Sequence, residues 1–114
     1  MKRSYTDFLQ DILDAIAEIE MFVSGVSFNG FESNREKTLA VVKLLEVIGE
    51  AVKQIPNDRR ECYPDIPWKS IAGMKDIMVH EYWQIDVAVV WATVQRFLPS
   101  LKEVVKKELT EMIG

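Results

Sequence analysis

Residues 4–24, SYTDFLQDILDAIAEIEMFVS, decide the fold class. Tyr5, Phe8, Leu9, Ile12, Ile16, Ile19 and Val23 recur at threes and fours, with Asp7, Asp11, Asp14 and Glu18 between them. That spacing gathers the apolar side chains into one stripe of a helix and leaves the carboxylates in water, so a first amphipathic helix is predicted over residues 4–24. One helix cannot cover its own stripe, and the rest of the chain supplies partners of the same kind. Ser24-Gly25 and Asn29-Gly30 punctuate the sequence, and Ser33 with Glu36 offers a capping box that would start a second helix. Val41, Leu45, Ile48, Val52 and Ile55 give that helix its inner face. Within it lies Ile48-Gly49-Glu50-Ala51. A glycine inside a helix costs about 1 kcal/mol relative to alanine, so Gly49 is read as a helix-crossing point, with a dimer partner as one candidate for the crossing helix.

From Pro56 to Pro67 the chain carries three of its four prolines together with Asp58-Arg59-Arg60-Glu61, which predicts an irregular crossover. A third helix is expected from Trp68 to about Val79. Asp86 is a good N-cap for a fourth, with Val87, Val90, Trp91, Val94, Phe97 and Leu98 as its stripe, and Pro99 should kink or break it before Leu101 to Ile113 resume. No strand pattern competes. The expectation is therefore a single all-α domain over residues 1–114, an up-and-down antiparallel bundle of four or five helices.

Composition excludes several functions. With 114 residues and 48 % apolar content there is enough chain for one core and not for two. A net charge of −4 argues against coating nucleic acid by bulk electrostatics, because each neutralised phosphate needs a nearby cation. Any RNA contact must then use a local patch, for which Lys53, Arg59, Arg60 and Lys69 could rim a cleft. Cys62 and His80 are the only residues of their kinds, so an intrachain disulfide and a four-ligand zinc site are both ruled out, and no cofactor is expected. The lone cysteine points to a reducing cytoplasm. The amino terminus interleaves acids with apolar residues and so lacks the apolar run of a signal peptide or a membrane span.

Chemistry concentrates in residues 66–86, IPWKSIAGMKDIMVHEYWQID. Asp76 and His80 are four apart and would share a helix face, while Lys75 opens a Lys-x4-His-x-Tyr string that ends at Tyr82. Metal-free RNA cleavage needs a base for the ribose 2′-OH, an acid for the leaving 5′-oxygen and positive charge at the phosphorane between them. Histidine can perform either proton transfer near neutral pH. One chain owns one histidine, so two chains about a twofold axis would be needed to bring two imidazoles and two cations to one phosphate. Asp76 would orient His80 and favour its protonated form. Trp68, Trp83 and Trp91 are assigned to packing, with base stacking by Trp83 as the minor alternative.

Several blocks taken together resemble the HepT family of the HEPN superfamily: Ile48-Gly49-Glu50-Ala51, Pro64-x-Ile66-Pro67-Trp68, Gly73-Met74-Lys75-Asp76, Val79-His80-Glu81-Tyr82, Ile85-Asp86 and Val90-Trp91-x-Thr93-Val94. The resemblance covers roughly residues 5–105. It implies a helical bundle that forms a homodimer or a higher oligomer, and a toxin ribonuclease paired with a minimal nucleotidyltransferase antitoxin. The family motif is Arg-x4-His-x-Tyr with a polar residue after the Arg. His80 and Tyr82 match it, Asp76 supplies the polar residue, and Lys75 replaces the Arg. Lysine lacks the planar fork with which arginine grips phosphate, so the exchange is not conservative. In the family the tyrosine two residues after His receives AMP from the antitoxin, which marks Tyr82 as the control point. The alternative is a non-catalytic binding or scaffold protein, disarmed by Lys75, that serves as a nucleotidyltransferase substrate or partner.

Overall fold

The computed structural model describes residues 3–78 and 84–113. They form helices α1 (Tyr5–Val23), α2 (Phe28–Glu32), α3 (Arg35–Val52), α4 (Asn57–Arg60), α5 (Trp68–Ala72), α6 (Met74–Met78), α7 (Val87–Arg96) and α8 (Leu98–Ile113). This is the expected all-α bundle. No helix among the described residues is long and apolar enough to cross a membrane.

The first helix falls where its periodicity put it. Ser4 caps α1 by accepting from the Asp7 N–H while the Asp7 carboxylate accepts from the Ser4 N–H, so two otherwise orphaned donors are satisfied reciprocally. Those hydrogen bonds from Ser4 hold the Asp7 carboxyl below the usual carboxylate range. Leu9, Ile12, Ile16 and Ile19 are fully or almost fully buried, each a gain of about 1.5–3 kcal/mol over leaving the side chain in water. They pack against α3 on one side and α8 on the other. Two long-range pairs fix α1 and α8 as antiparallel: Tyr5 meets Glu108 at one end, and Lys102 meets Glu20 at 3.0 Å at the other. The predicted inner face of α3, from Val41 to Val52, is buried against α1, and Ile55 just beyond the helix is buried with it.

Four boundaries depart from expectation, each for a local reason. Asn29 and Gly30 do not interrupt the chain; they lie inside α2, whose N-cap Ser27 accepts from the Gly30 N–H at 3.1 Å. The Ser33–Glu36 capping box does not form. Ser33 instead donates to the Gly30 carbonyl at 3.2 Å, and Asn34 caps α3 by accepting from the Lys37 N–H at 3.0 Å. The proline-rich crossover includes one helical turn, α4, begun by Pro56 with φ already at −60°. Finally, α7 ends before Phe97 rather than at Pro99, which lies in the first turn of α8, where a missing N–H leaves no bond unmade.

The helix predicted over residues 68–79 is divided at Gly73 into α5 and α6. The Gly73 N–H bonds to the Lys69 carbonyl at 3.1 Å and closes α5; the Asp76 N–H then bonds to the Gly73 carbonyl at 3.2 Å and opens α6. Trp68 anchors the joint from the other end. Its indole N–H donates to the carbonyls of Arg60 and Tyr63, at 3.0 and 3.1 Å, so the crossover is tied to the start of α5. Trp91 packs at 5.2 Å against the Phe31 ring and edge-on to Phe28. Both tryptophans are thus packing residues, as expected; Trp83 lies outside the described residues.

Candidate functional site

Site geometry begins with Gly49. A Cβ built there would lie 3.1 Å from the Ile71 carbonyl oxygen and 3.5 Å from that of Ala72. The crossing read from the sequence is real, and the crossing element is α5 of the same chain.

Beside that crossing runs a groove of about 820 Å³. Arg3, with Phe8 and Asp11 of α1, forms one wall, α3 from Lys43 onward with Lys53 and Gln54 just beyond it forms the base, and Ala72, Gly73, Met74 and Asp76 at the α5–α6 joint form the other wall. Of the site residues expected from sequence, Asp76 is exposed and lines this groove. Lys75 is the second residue of α6, beside Asp76 in the chain. Its side chain, together with His80 and Tyr82, lies outside the described residues, so the expected stacking of Asp76 on His80 does too.

The flanks of that stretch are defined. The Asp86 N–H donates to the Met78 carbonyl at 2.8 Å, which joins the end of α6 to the cap of α7. Met78 is fully buried, and the Asp86 carboxylate accepts from the Val89 N–H at 3.2 Å to start α7. Met78 and Asp86, the described residues that flank the stretch with His80 and Tyr82, are therefore held together, and Met78 lies two residues along the chain from Asp76.

Electrostatically the groove is close to neutral, with three cations facing three carboxylates and Asp76 as a fourth. Arg3 pairs with Asp11, Lys43 lies 3.9 Å from Glu46, and Lys53 lies 2.9 Å from Glu50. Such exposed pairs contribute between zero and about 1 kcal/mol each and leave little net field to attract a phosphate chain. Three of the basic residues expected to rim a cleft, Lys53, Arg59 and Arg60, are engaged within the chain, and the fourth, Lys69, is exposed on α5. Lys53 is paired, Arg60 donates to the Val52 carbonyl at 2.9 Å and so caps α3, and Arg59 turns to the carboxylate of Glu108 on α8.

There Arg59 meets a polar centre that sequence reasoning missed. Glu108 is only 2 % exposed. Its carboxylate accepts from the Tyr5 hydroxyl at 2.9 Å, the Tyr63 hydroxyl at 2.8 Å and the Arg59 guanidinium, which binds it through Nε at 3.0 Å and through Nη2. Arg59 also reaches Glu111 at 3.1 Å. Hydrogen bonding from Arg59, then from the two phenols, holds the Glu108 carboxyl below its usual range despite burial. Burial first, and then donation to Glu108, pushes the Tyr63 phenol up to about 12 and raises that of Tyr5 further. The signal was in the sequence: Leu101, Val105 and Glu108 follow the inward stripe of α8, and a carboxylate in that register must find donors. Among the described residues no three His, Cys, Asp or Glu side chains are grouped to hold a metal ion.

Comparison with known proteins gives a consistent set of relatives. The family described as Ribonuclease HepT-like matches residues 12–108. The chain is 46 % identical over 102 residues to a protein of Thermococcus cleftensis named "Probable ribonuclease HepT", covering 90 % of this chain and 93 % of that one. It is 42 % identical over 113 residues to a "Putative RNase" of Methanocaldococcus jannaschii, with 99 % and 93 % covered. A "Putative RNase" of Caldanaerobacter subterraneus is 39 % identical over 102 residues, with 90 % and 91 % covered. No solved structure matches.

Proposed function

Because this chain belongs to the HepT-like ribonuclease family, we propose that it is an RNA endonuclease whose site is built on Lys75, Asp76 and His80. One structural observation supports the placement: Asp76 lines the groove, and the segment carrying His80 and Tyr82 is tied at both ends beside it by the Met78–Asp86 hydrogen bond. In the proposed reaction one imidazole takes the ribose 2′-OH proton as the 2′-oxygen attacks phosphorus. The 5′-oxygen leaves with a proton from a second, protonated imidazole, so the products are a 2′,3′-cyclic phosphate and a 5′-hydroxyl. Lys75 supplies positive charge at the phosphorane, and Asp76 orients His80.

Each chain contributes one histidine, and the second is proposed to come from a second copy in a homodimer that brings both α6 ends to one cleft. The near-neutral, part-apolar groove on α1, α3 and α6 suits protein packing better than it suits RNA. Control is assigned to Tyr82, adenylylated by a nucleotidyltransferase partner; the added phosphodiester brings bulk and negative charge against an incoming RNA phosphate. The system would then be a toxin with its antitoxin.

The test is cleavage of a defined RNA by the purified full chain in the presence of chelator, with end-group analysis. Cleavage that leaves 2′,3′-cyclic phosphate and vanishes in His80→Ala, at unchanged helical circular dichroism, is the expected result. An inactive wild type would favour the scaffold alternative, in which Lys75 has disarmed the site. A cleaving His80→Ala would remove His80 from the chemistry.

A further inference from the structure

We propose that Gly49 is a positioning residue for the α6 site: its bare backbone sets how deeply the α5–α6 joint rests on α3, and hence where Lys75 and Asp76 stand. The inference builds on the ribonuclease reading of those residues. Gly49 is buried in the last turn of α3, still helical and without a positive φ, so no turn or left-handed backbone calls for glycine there. What calls for it is the neighbour. A Cβ would come within 3.1 Å of the Ile71 carbonyl oxygen, closer than ordinary van der Waals contact, and within 3.5 Å of that of Ala72. Both are backbone atoms that cannot rotate aside as a side chain would. By contrast, a Cβ on Gly30, the other glycine inside a described helix, would meet the Ser27 hydroxyl at an ordinary 3.4 Å.

Those two carbonyls end α5, and displacement passes directly onward. Gly73 follows Ala72, its own carbonyl accepts the Asp76 N–H, and Met74 and Met78 bury α6 in the core. On the far side, the Trp68 indole holds the start of α5 to the crossover. With α5 fixed at that end, a Cβ at position 49 must be relieved by a shift of a few tenths of an ångström at the joint, where the proposed reacting groups begin. Misplacement on the scale of 1 Å can cost about a hundredfold, so a few tenths should cost about three- to fivefold.

The experiment compares wild type, Gly49→Ala and Gly30→Ala as full chains, measuring kcat and KM for RNA cleavage, melting temperature and backbone amide shifts. Gly49→Ala should lower kcat about three- to fivefold with KM changed less than about twofold, should keep a cooperative melt, and should shift the amides of residues 71–78 while leaving those of α8 in place. Alanine's better helix propensity offsets part of the contact, so the fold should hold. Gly30→Ala should match wild type. The assignment is overturned by an active wild type with an equally active Gly49→Ala, by a loss that appears as KM alone, by an equal loss in Gly30→Ala, or by a Gly49→Ala chain that does not fold. An inactive wild type would instead strike the ribonuclease reading from which the inference starts.

Discussion

Replacing Glu108 with alanine should cost about 3–4 kcal/mol, and the figure can be built from the contacts around it. The carboxylate accepts one hydrogen bond from each of two phenols, and a hydrogen bond to a charged acceptor contributes about 1.5–3 kcal/mol. Tyr5 and Tyr63 are half-buried, so water reaches the released hydroxyls and the low end of that range applies, giving about 3 kcal/mol for the pair. The lost methylene adds a further fraction of a kcal/mol. Arg59 is assigned nothing, since it keeps Glu111 and solvent. For a chain of this size about 4 °C of melting temperature corresponds to 1 kcal/mol, so thermal unfolding followed by circular dichroism should show a fall of about 12–16 °C. Tyr5→Phe with Tyr63→Phe should make the Glu108→Ala cost markedly smaller, because the hydroxyls it would orphan are already gone. A Glu108→Ala chain that melts within 4 °C of wild type, or full additivity among the three changes, would show that the cluster is decoration on a core that does not need it.

The same cluster sets the pH limits of stability. The depressed Glu108 carboxyl contributes stability that is complete above its ordinary value of 4.5 and is lost as pH falls through its lower folded value, so Glu108→Gln should flatten the acid limb of melting temperature against pH. The Tyr63 phenol is raised instead, so its share is complete below pH 10 and is lost as pH climbs toward 12; Tyr63→Phe should flatten the alkaline limb, and an unchanged limb would contradict its donation to Glu108. At the proposed site, Lys75→Arg should raise cleavage tenfold or more by restoring a paired grip on phosphate, equivalent to about 1.5 kcal/mol or more, and a fall would end the clamp role. Incubation with the proposed nucleotidyltransferase partner and ATP should add adenylate to wild type and not to Tyr82→Phe. Adenylate found by mass spectrometry on Tyr5 or Tyr63 would overturn that assignment, since both hydroxyls are already committed to Glu108.

How much of this could be read from the chain follows from the range of each interaction. The stripe from Leu9 to Ile19 and the inner face of α3 are local periodicities, and both were legible to within a residue or two. Gly49 was legible as a crossing because a glycine at that cost in a helix needs a reason, but the helix it meets lies more than twenty residues on, and no local pattern names it. The break at Gly73 was hidden: Ala72-Gly73-Met74 keeps helical spacing on both sides, and what splits it is the exchange of hydrogen bonds about Gly73. Caps were misplaced by one residue where Ser33 and Asn34 compete, since either side chain can accept from the first turn. Asp76 was found by motif, whereas the groove beside it joins α1, α3 and α6 and exists only in three dimensions. Arg59 looked like a cleft cation because its partner, Glu108, is 49 residues away.

The hydrogen bond from Asp86 to Met78 has a meaning for how such a chain can diversify. Positions 78 and 86 are joined by a hydrogen bond of 2.8 Å, and the entropy of closing a longer connection between them would rise only with the logarithm of its length, about 0.6 kcal/mol for each doubling. Residues inserted between Tyr82 and Asp86 would thus be cheap, leaving the Lys75-to-His80 interval and the helix ends untouched. Such insertions would leave the aliphatic interior, which sets whether the chain folds at all, as it is.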